Sequence, residues 1–97
     1  MSRLSLDAYV LDTLMPDLVG HDRQPSAFVV YLYLLRHAQG RQRVATASLQ
    51  QIATDTGLSK SAVQLAVRTL RRRQLVRTSQ ASATAAPTYT VLTPWGR

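Results

Sequence analysis

At 97 residues the chain is sized for one domain with a single modest core, and it leaves no room for a separate ligand-binding module. It contains no cysteine, which excludes a disulfide framework and a thiolate metal site, and its formal net charge of +7 favours an anionic partner. Asp7 and Asp12 stand where a secretory leader would be apolar, and the longest apolar run, Ala27 to Leu35, is too short to span a bilayer, so a cytoplasmic protein is expected.

The charge is unevenly placed. From Met1 to Gly40 three arginines meet four aspartates, a net of −1, whereas from Arg41 to Arg97 nine cations meet only Asp55, a net of +8. Neutralising phosphates releases counterions, so a basic C-terminal half suits a polyanion. A membrane surface fits less well, because Arg71, Arg72 and Arg73 follow an apolar stripe that a core needs.

In chain order, Ser5 is expected to cap a first helix carrying Leu6, Tyr9, Val10 and Leu14. Pro16 should end or kink it, since proline lacks an amide donor and clashes with the preceding turn. A further turn, Pro16 to Val19, should close at Gly20, and His21-Asp22-Arg23-Gln24 reads as a loop. Pro25-Ser26 opens the next helix, expected to reach about Gln39. Its run Phe28 to Leu35 has the composition of a buried strand too, but a proline start and a cationic Arg36-His37 end favour helix. Phe28, Tyr31, Leu32 and Leu35 form one stripe, and Val29, Val30, Tyr33 and Leu34 demand cover on other faces. That cover comes either from the chain's own N-terminal helix or from a second subunit's, so a homodimer through the N-terminal helices is one of two expectations. Arg41 to Ala47 is polar, with Val44 and Ala45 as a brief strand.

The stretch from Ser48 to Leu75 organises the rest. Leu49, Ile52 and Ala53 fall at i, i+3 and i+4, and Val63, Ala66, Val67 and Leu70 repeat the spacing, which predicts two short helices sharing a core. Gly57 supplies the turn, Ser48 with Gln51 makes a capping box, and Ser59 is a good N-cap. Beyond it, Leu75 to Thr78 and Thr88 to Leu92 have strand composition around a soft Ser-Gln-Ala-Ser-Ala-Thr-Ala-Ala-Pro tip, a hairpin. Trp95 reads as a hydrophobic clip on the domain.

Ala53 at a helix crossing, Gly57 at the turn, Leu58 after it, and Val63 with Ala66 on the inner side resemble a helix-turn-helix. With the hairpin, the chain resembles the winged helix of bacterial transcription regulators of the MarR/GntR-like kind. The resemblance implies a mainly α fold with a small β-hairpin wing and an extra N-terminal helix. It divides the chain into an N-terminal extension (1–24), a winged helix (25–93) and a tail (94–97).

The same resemblance implies sequence-specific binding of double-stranded DNA, with the recognition helix from Lys60 to Arg73 in a major groove. At 100° per residue Ser61, Leu65, Arg68 and Arg72 point directly outward, with Lys60, Gln64 and Arg71 on one flank. Lys60, Ser61, Gln64 and Leu65 are the candidates for base edges, and Arg68, Arg71, Arg72 and Arg77 for phosphates. Ser48 and Ser59 open two helices whose free amides could also face phosphate. The sequence departs from the family at Leu65, which is apolar where relatives carry polar groups. It departs again at Gln74, where a glycine is common, and at a wing tip without Lys or Arg between Ser79 and Thr93.

Two other readings remain open at this level: a winged helix that binds protein, and the DNA-binding part of a replication or plasmid initiator. Catalysis is not indicated. His21 and His37 lie in separate segments without a cysteine or a productive carboxylate pair. His21, Asp22 and Asp17 lack a metal-ligand pattern, and no cofactor, metal or small-molecule effector is called for.

Overall fold

The computed structural model describes residues 3–95, so Gly96 and Arg97 of the expected tail fall outside the described part. Three α-helices and three strands follow an N-terminal helical segment: α1 (Pro25–His37), β1 (Val44–Thr46), α2 (Leu49–Thr56), α3 (Lys60–Arg72), β2 (Val76–Ser79) and β3 (Thr88–Val91). The strands form one antiparallel sheet in the order β1-β3-β2, with Ala45 opposite Tyr89 and Val76 opposite Val91. This is a winged helix with an N-terminal helical layer.

That layer departs from the expectation in three ways. Its backbone runs in wide i→i+5 turns, Val10–Leu14 and Pro16–His21. Pro16 does not end it, because the proline occupies the first position of the second set of turns, where no amide donor is needed. Ser5 does not cap it either. Asp7 accepts the Tyr9 amide on Oδ1 at 2.9 Å and the Val10 amide on its carbonyl at 3.0 Å. Nor does Gly20 close it: the segment ends through Asp22 N–H to the Asp17 carbonyl and Gln24 N–H to the Leu18 carbonyl, and the left-handed residue is Arg23, φ 55°.

Val10, Leu14 and Leu18 turn from this segment into the core and pack beside α1. Helix α1 is buried through Ala27, Phe28, Val30, Tyr31 and Leu34, while Leu32 and Leu35 are only half-buried. The stripe expected from Phe28, Tyr31, Leu32 and Leu35 is therefore rotated. With α3 on one side and the N-terminal segment on another, the most covered line is the one facing between them. The Tyr31 hydroxyl, buried, donates to the Leu92 carbonyl at 2.9 Å and ties α1 to the end of β3. Trp95 stacks on Tyr9, with ring centroids 4.6 Å apart, and its ring centroid lies 6.4 Å from that of Tyr31. The C-terminal part thus clips the N-terminal layer to α1.

Candidate nucleic-acid interface

The site is built on α3, and α3 is built by the turn before it. Gly57 ends α2 with φ 82°, a left-handed conformation that costs a side-chain-bearing residue about 1–2 kcal/mol. Ser48 Oγ accepts the Gln51 amide at 3.0 Å, and Ser59 Oγ accepts the Ala62 amide at 3.1 Å. Both serine hydroxyls are thereby engaged in capping. The cap bonds use each Oγ as an acceptor, so the hydroxyl proton and the neighbouring backbone amides are the donors an anion would meet there.

Val63, Ala66 and Leu70 are fully buried against α1 and α2. Lys60, Ser61, Gln64, Leu65, Arg68, Arg71 and Arg72 are all exposed on the opposite side, and Leu65 retains 46% of its surface. A large apolar side chain at that exposure in the middle of a cationic face is the one discordant residue. The helix-turn-helix is held to α1 by Tyr33, whose hydroxyl donates to Asp55 at 2.7 Å. Burial first, and then this hydrogen bond, push the phenol up to about 12.

Between α3 and the wing lies an open cleft of about 450 Å³. Gln64, Arg68 and Arg71 form one wall, and Thr78, Ser79 and Gln80 form the other. The wing tip expected to be soft is closed by its own side chains. Gln80 Nε2 donates to the Ala85 carbonyl at 2.6 Å, and the Ala85 amide bonds Ser82 Oγ at 3.2 Å. The Ala47 amide donates to the Pro87 carbonyl at 3.2 Å, fixing the far end of the loop to the start of the helix-turn-helix. Gln74 takes the left-handed conformation, φ 58°, that the chain needs to turn from α3 into β2, although it is not glycine.

Arg73 behaves unlike its neighbours. It lies just past the end of α3, which closes at Arg72 rather than Arg73, and it points inward. Its guanidinium donates to Asp22 Oδ2 at 2.5 Å and to Asp17 Oδ2 of the N-terminal segment. One turn earlier Thr69, the one buried polar residue among those described, donates to Gln24 Oε1 at 2.8 Å. A polar seam therefore fastens the back of α3 to the N-terminal layer. The His21 ring, 3.0 Å from Asp22, and the Arg73 guanidinium hold the Asp22 carboxyl below the usual carboxylate range. Asp17, His21 and Asp22 do converge, but both carboxylates serve Arg73.

From the sequence, Arg73 is only the last residue of the expected recognition helix, with no partner assigned, and Asp17 has no pairing role. The signal that separates Arg73 was present: it follows Thr69 by four and Leu70 by three, so it continues the inward stripe. The wing residues Thr78, Ser79 and Gln80 were also missed, because a hairpin pattern does not say which strand faces the helix.

Residues 24–76, more than half of the chain, match the family described as "Helix-turn-helix domain". The chain belongs to the helix-turn-helix domain family. The matched span runs from Gln24 through α1, α2 and α3 to the first residue of β2, and so contains Ser48, Gly57 and the whole of α3. Among solved structures, a mutant of ZitR from Lactococcus lactis in its apo form aligns with a TM-score of 0.49 at 14% identity, over 93% of this chain. This chain spans 65% of the length of that one. No curated protein matches the chain. As for membranes, no helix among the described residues is long and apolar enough to cross one.

Proposed function

We propose that this helix-turn-helix protein is a cytoplasmic transcriptional regulator that binds double-stranded DNA by laying α3 in the major groove. We take the chain as a single winged-helix domain with an N-terminal extension. The observation that carries the reading is the outward face of α3. There Lys60, Arg68, Arg71 and Arg72 are exposed, and none forms an ion pair among the described residues, whereas Arg73 on the inner side is neutralised. A cationic face kept free of carboxylates, beside a cleft lined by amides and hydroxyls, matches the chemistry of a phosphodiester strand.

Within this reading Lys60, Ser61 and Gln64 reach base edges, and Leu65 meets a thymine methyl. Arg68, Arg71, Arg72 and Arg77 meet phosphates, together with the amides that open α2 and α3 at Ser48 and Ser59. About four neutralised phosphates give a log–log salt slope near −3.6. The protein binds rather than catalyses, and it uses no cofactor.

The test is selection from a random duplex library followed by affinity measurement on the selected and random sequences. Gln64→Ala should relax preference at one base step, by about 1–3 kcal/mol, and Arg68→Ala should weaken all sequences alike. Equal losses on both kinds of DNA for both variants would contradict the assignment.

A second copy of the chain is the proposed partner of the N-terminal layer. Leu11, Met15 and Val19 lie four residues apart on its outer side and are each more than a third exposed, an apolar line that a two-fold mate would cover. Such a dimer would occupy half-sites about 34 Å apart or a multiple of that. Sedimentation that finds only monomer at high concentration would remove it. The same line and Leu65 also suit a different protein, which keeps a protein-binding winged helix as the second reading.

A further inference from the structure

Two clefts, not one, open beside the base of the wing, and Arg71 lines both. The first is the α3–wing cleft already described, with Arg68 and Arg71 against Thr78, Ser79 and Gln80. The second, of about 440 Å³, is lined by Arg71, Gln74, Val76, Arg77, Thr78 and Leu92. Thr78 lies in both as well, so the two clefts are adjacent and share one arginine and one hydroxyl-bearing residue. Arg72, also exposed, lines neither.

Beside apolar residues such as Val67 in the first and Val76 in the second, the polar parts of the two linings are alike. Each holds two arginines, together with amide and hydroxyl side chains that donate hydrogen bonds, and neither contains a carboxylate. Arg68, Arg71 and Arg77 form no ion pair among the described residues, so their guanidinium donors are not already spent.

We infer that the two clefts are seats for two neighbouring phosphates of one DNA strand, and that Arg71 is the residue shared between them. The inference rests on the DNA-binding reading above and refines it. A guanidinium presents five donors in a rigid planar fork, so one side chain can serve two acceptors at once, which a lysine ammonium on a flexible stem does poorly. Arg68 completes the first seat and Arg77 the second. Beyond Arg77 the wing thereby acts as a neutral wall against which the strand is held, since residues 78–93 carry no Lys or Arg. Arg72 meets phosphate outside both seats.

The experiment measures affinity for a random-sequence duplex at one fixed salt concentration, with thermal unfolding as the control for folding. Arg71→Lys retains the charge and should still weaken binding at least about threefold. In double-mutant cycles Arg68→Ala with Arg71→Ala, and Arg71→Ala with Arg77→Ala, should depart from additivity by at least about threefold. Arg68→Ala with Arg77→Ala should be additive within about twofold. Arg72→Ala should show the smallest single loss. Arg71→Lys binding as well as the wild type, or full additivity in all three cycles, would overturn the shared seat while leaving DNA binding intact. A wild-type protein without measurable affinity for the duplex would instead overturn the DNA reading, and the shared seat with it.

Discussion

The helix-turn-helix and the N-terminal layer are both helical and both bury one apolar line, yet their backbones obey different constraints. In α2 and α3 every local signal agrees. Serine caps, a left-handed glycine and 3.6-residue spacing all specify the same two helices. In the N-terminal segment the signals conflict: a proline sits mid-segment, the buried residues Val10, Leu14 and Leu18 recur every fourth position, and the turns are i→i+5. The first region is specified by its own sequence, whereas the second takes its shape from packing on α1, from the Trp95 clip and from the ion pairs to Arg73. Local consistency thus marks the part that must present a fixed surface. The part with local conflict is held by its neighbours.

The comparison can be broken or sharpened at several points. The largest expected effect is Leu70→Ala, which should lower unfolding free energy in urea by about 2–5 kcal/mol, because the side chain is fully buried where α3 meets the core. Leu11→Ala, on the exposed line of the N-terminal layer, should change monomer stability by no more than about 0.5 kcal/mol. A large loss there would mean that the layer's outer face is already part of the fold.

Next comes Arg73→Ala, expected to cost about 1–2 kcal/mol of stability by leaving Asp22, whose side chain is only 11% exposed, without its cationic partner. Its affinity for random duplex should fall far less than that of Arg68→Ala, which separates the inward arginine from the outward ones. Gln74→Gly should raise stability by about 1 kcal/mol, since it relieves a left-handed residue that bears a side chain. The smallest effect concerns pH. The folded state holds the Tyr33 phenol near 12, so its contribution is complete below the unfolded value of about 10 and is lost as pH rises through 12. Alkaline unfolding of Tyr33→Phe should lack that increment.

Much of the fold was legible. The helix-turn-helix boundaries, the brief strand at Val44, the hairpin and the outward set from Lys60 to Arg72 follow from spacing and capping residues alone, because those signals are local. Other features were not. The rotation of the α1 stripe depends on which two elements cover it, and a helix apolar on several faces carries no single answer in its own pattern. The i→i+5 turns replace one helical period by another that apolar spacing distinguishes poorly over so short a segment. The Arg73 pairing joins residues more than fifty positions apart, and only the phase of Arg73 relative to Thr69 and Leu70 hinted at it.

The central claim is that the cationic side of α3 and the base of the wing together form the surface that meets DNA. The most direct measurement is an amide chemical-shift titration of the 97-residue protein with a random-sequence duplex. Perturbations confined to residues 48–50, 59–72 and 74–80, with Leu11, Met15 and Val19 unmoved at constant oligomeric state, are the predicted result. Shifts that spare α3 and cluster on the N-terminal layer, or the absence of any saturable shift at low salt, would contradict it.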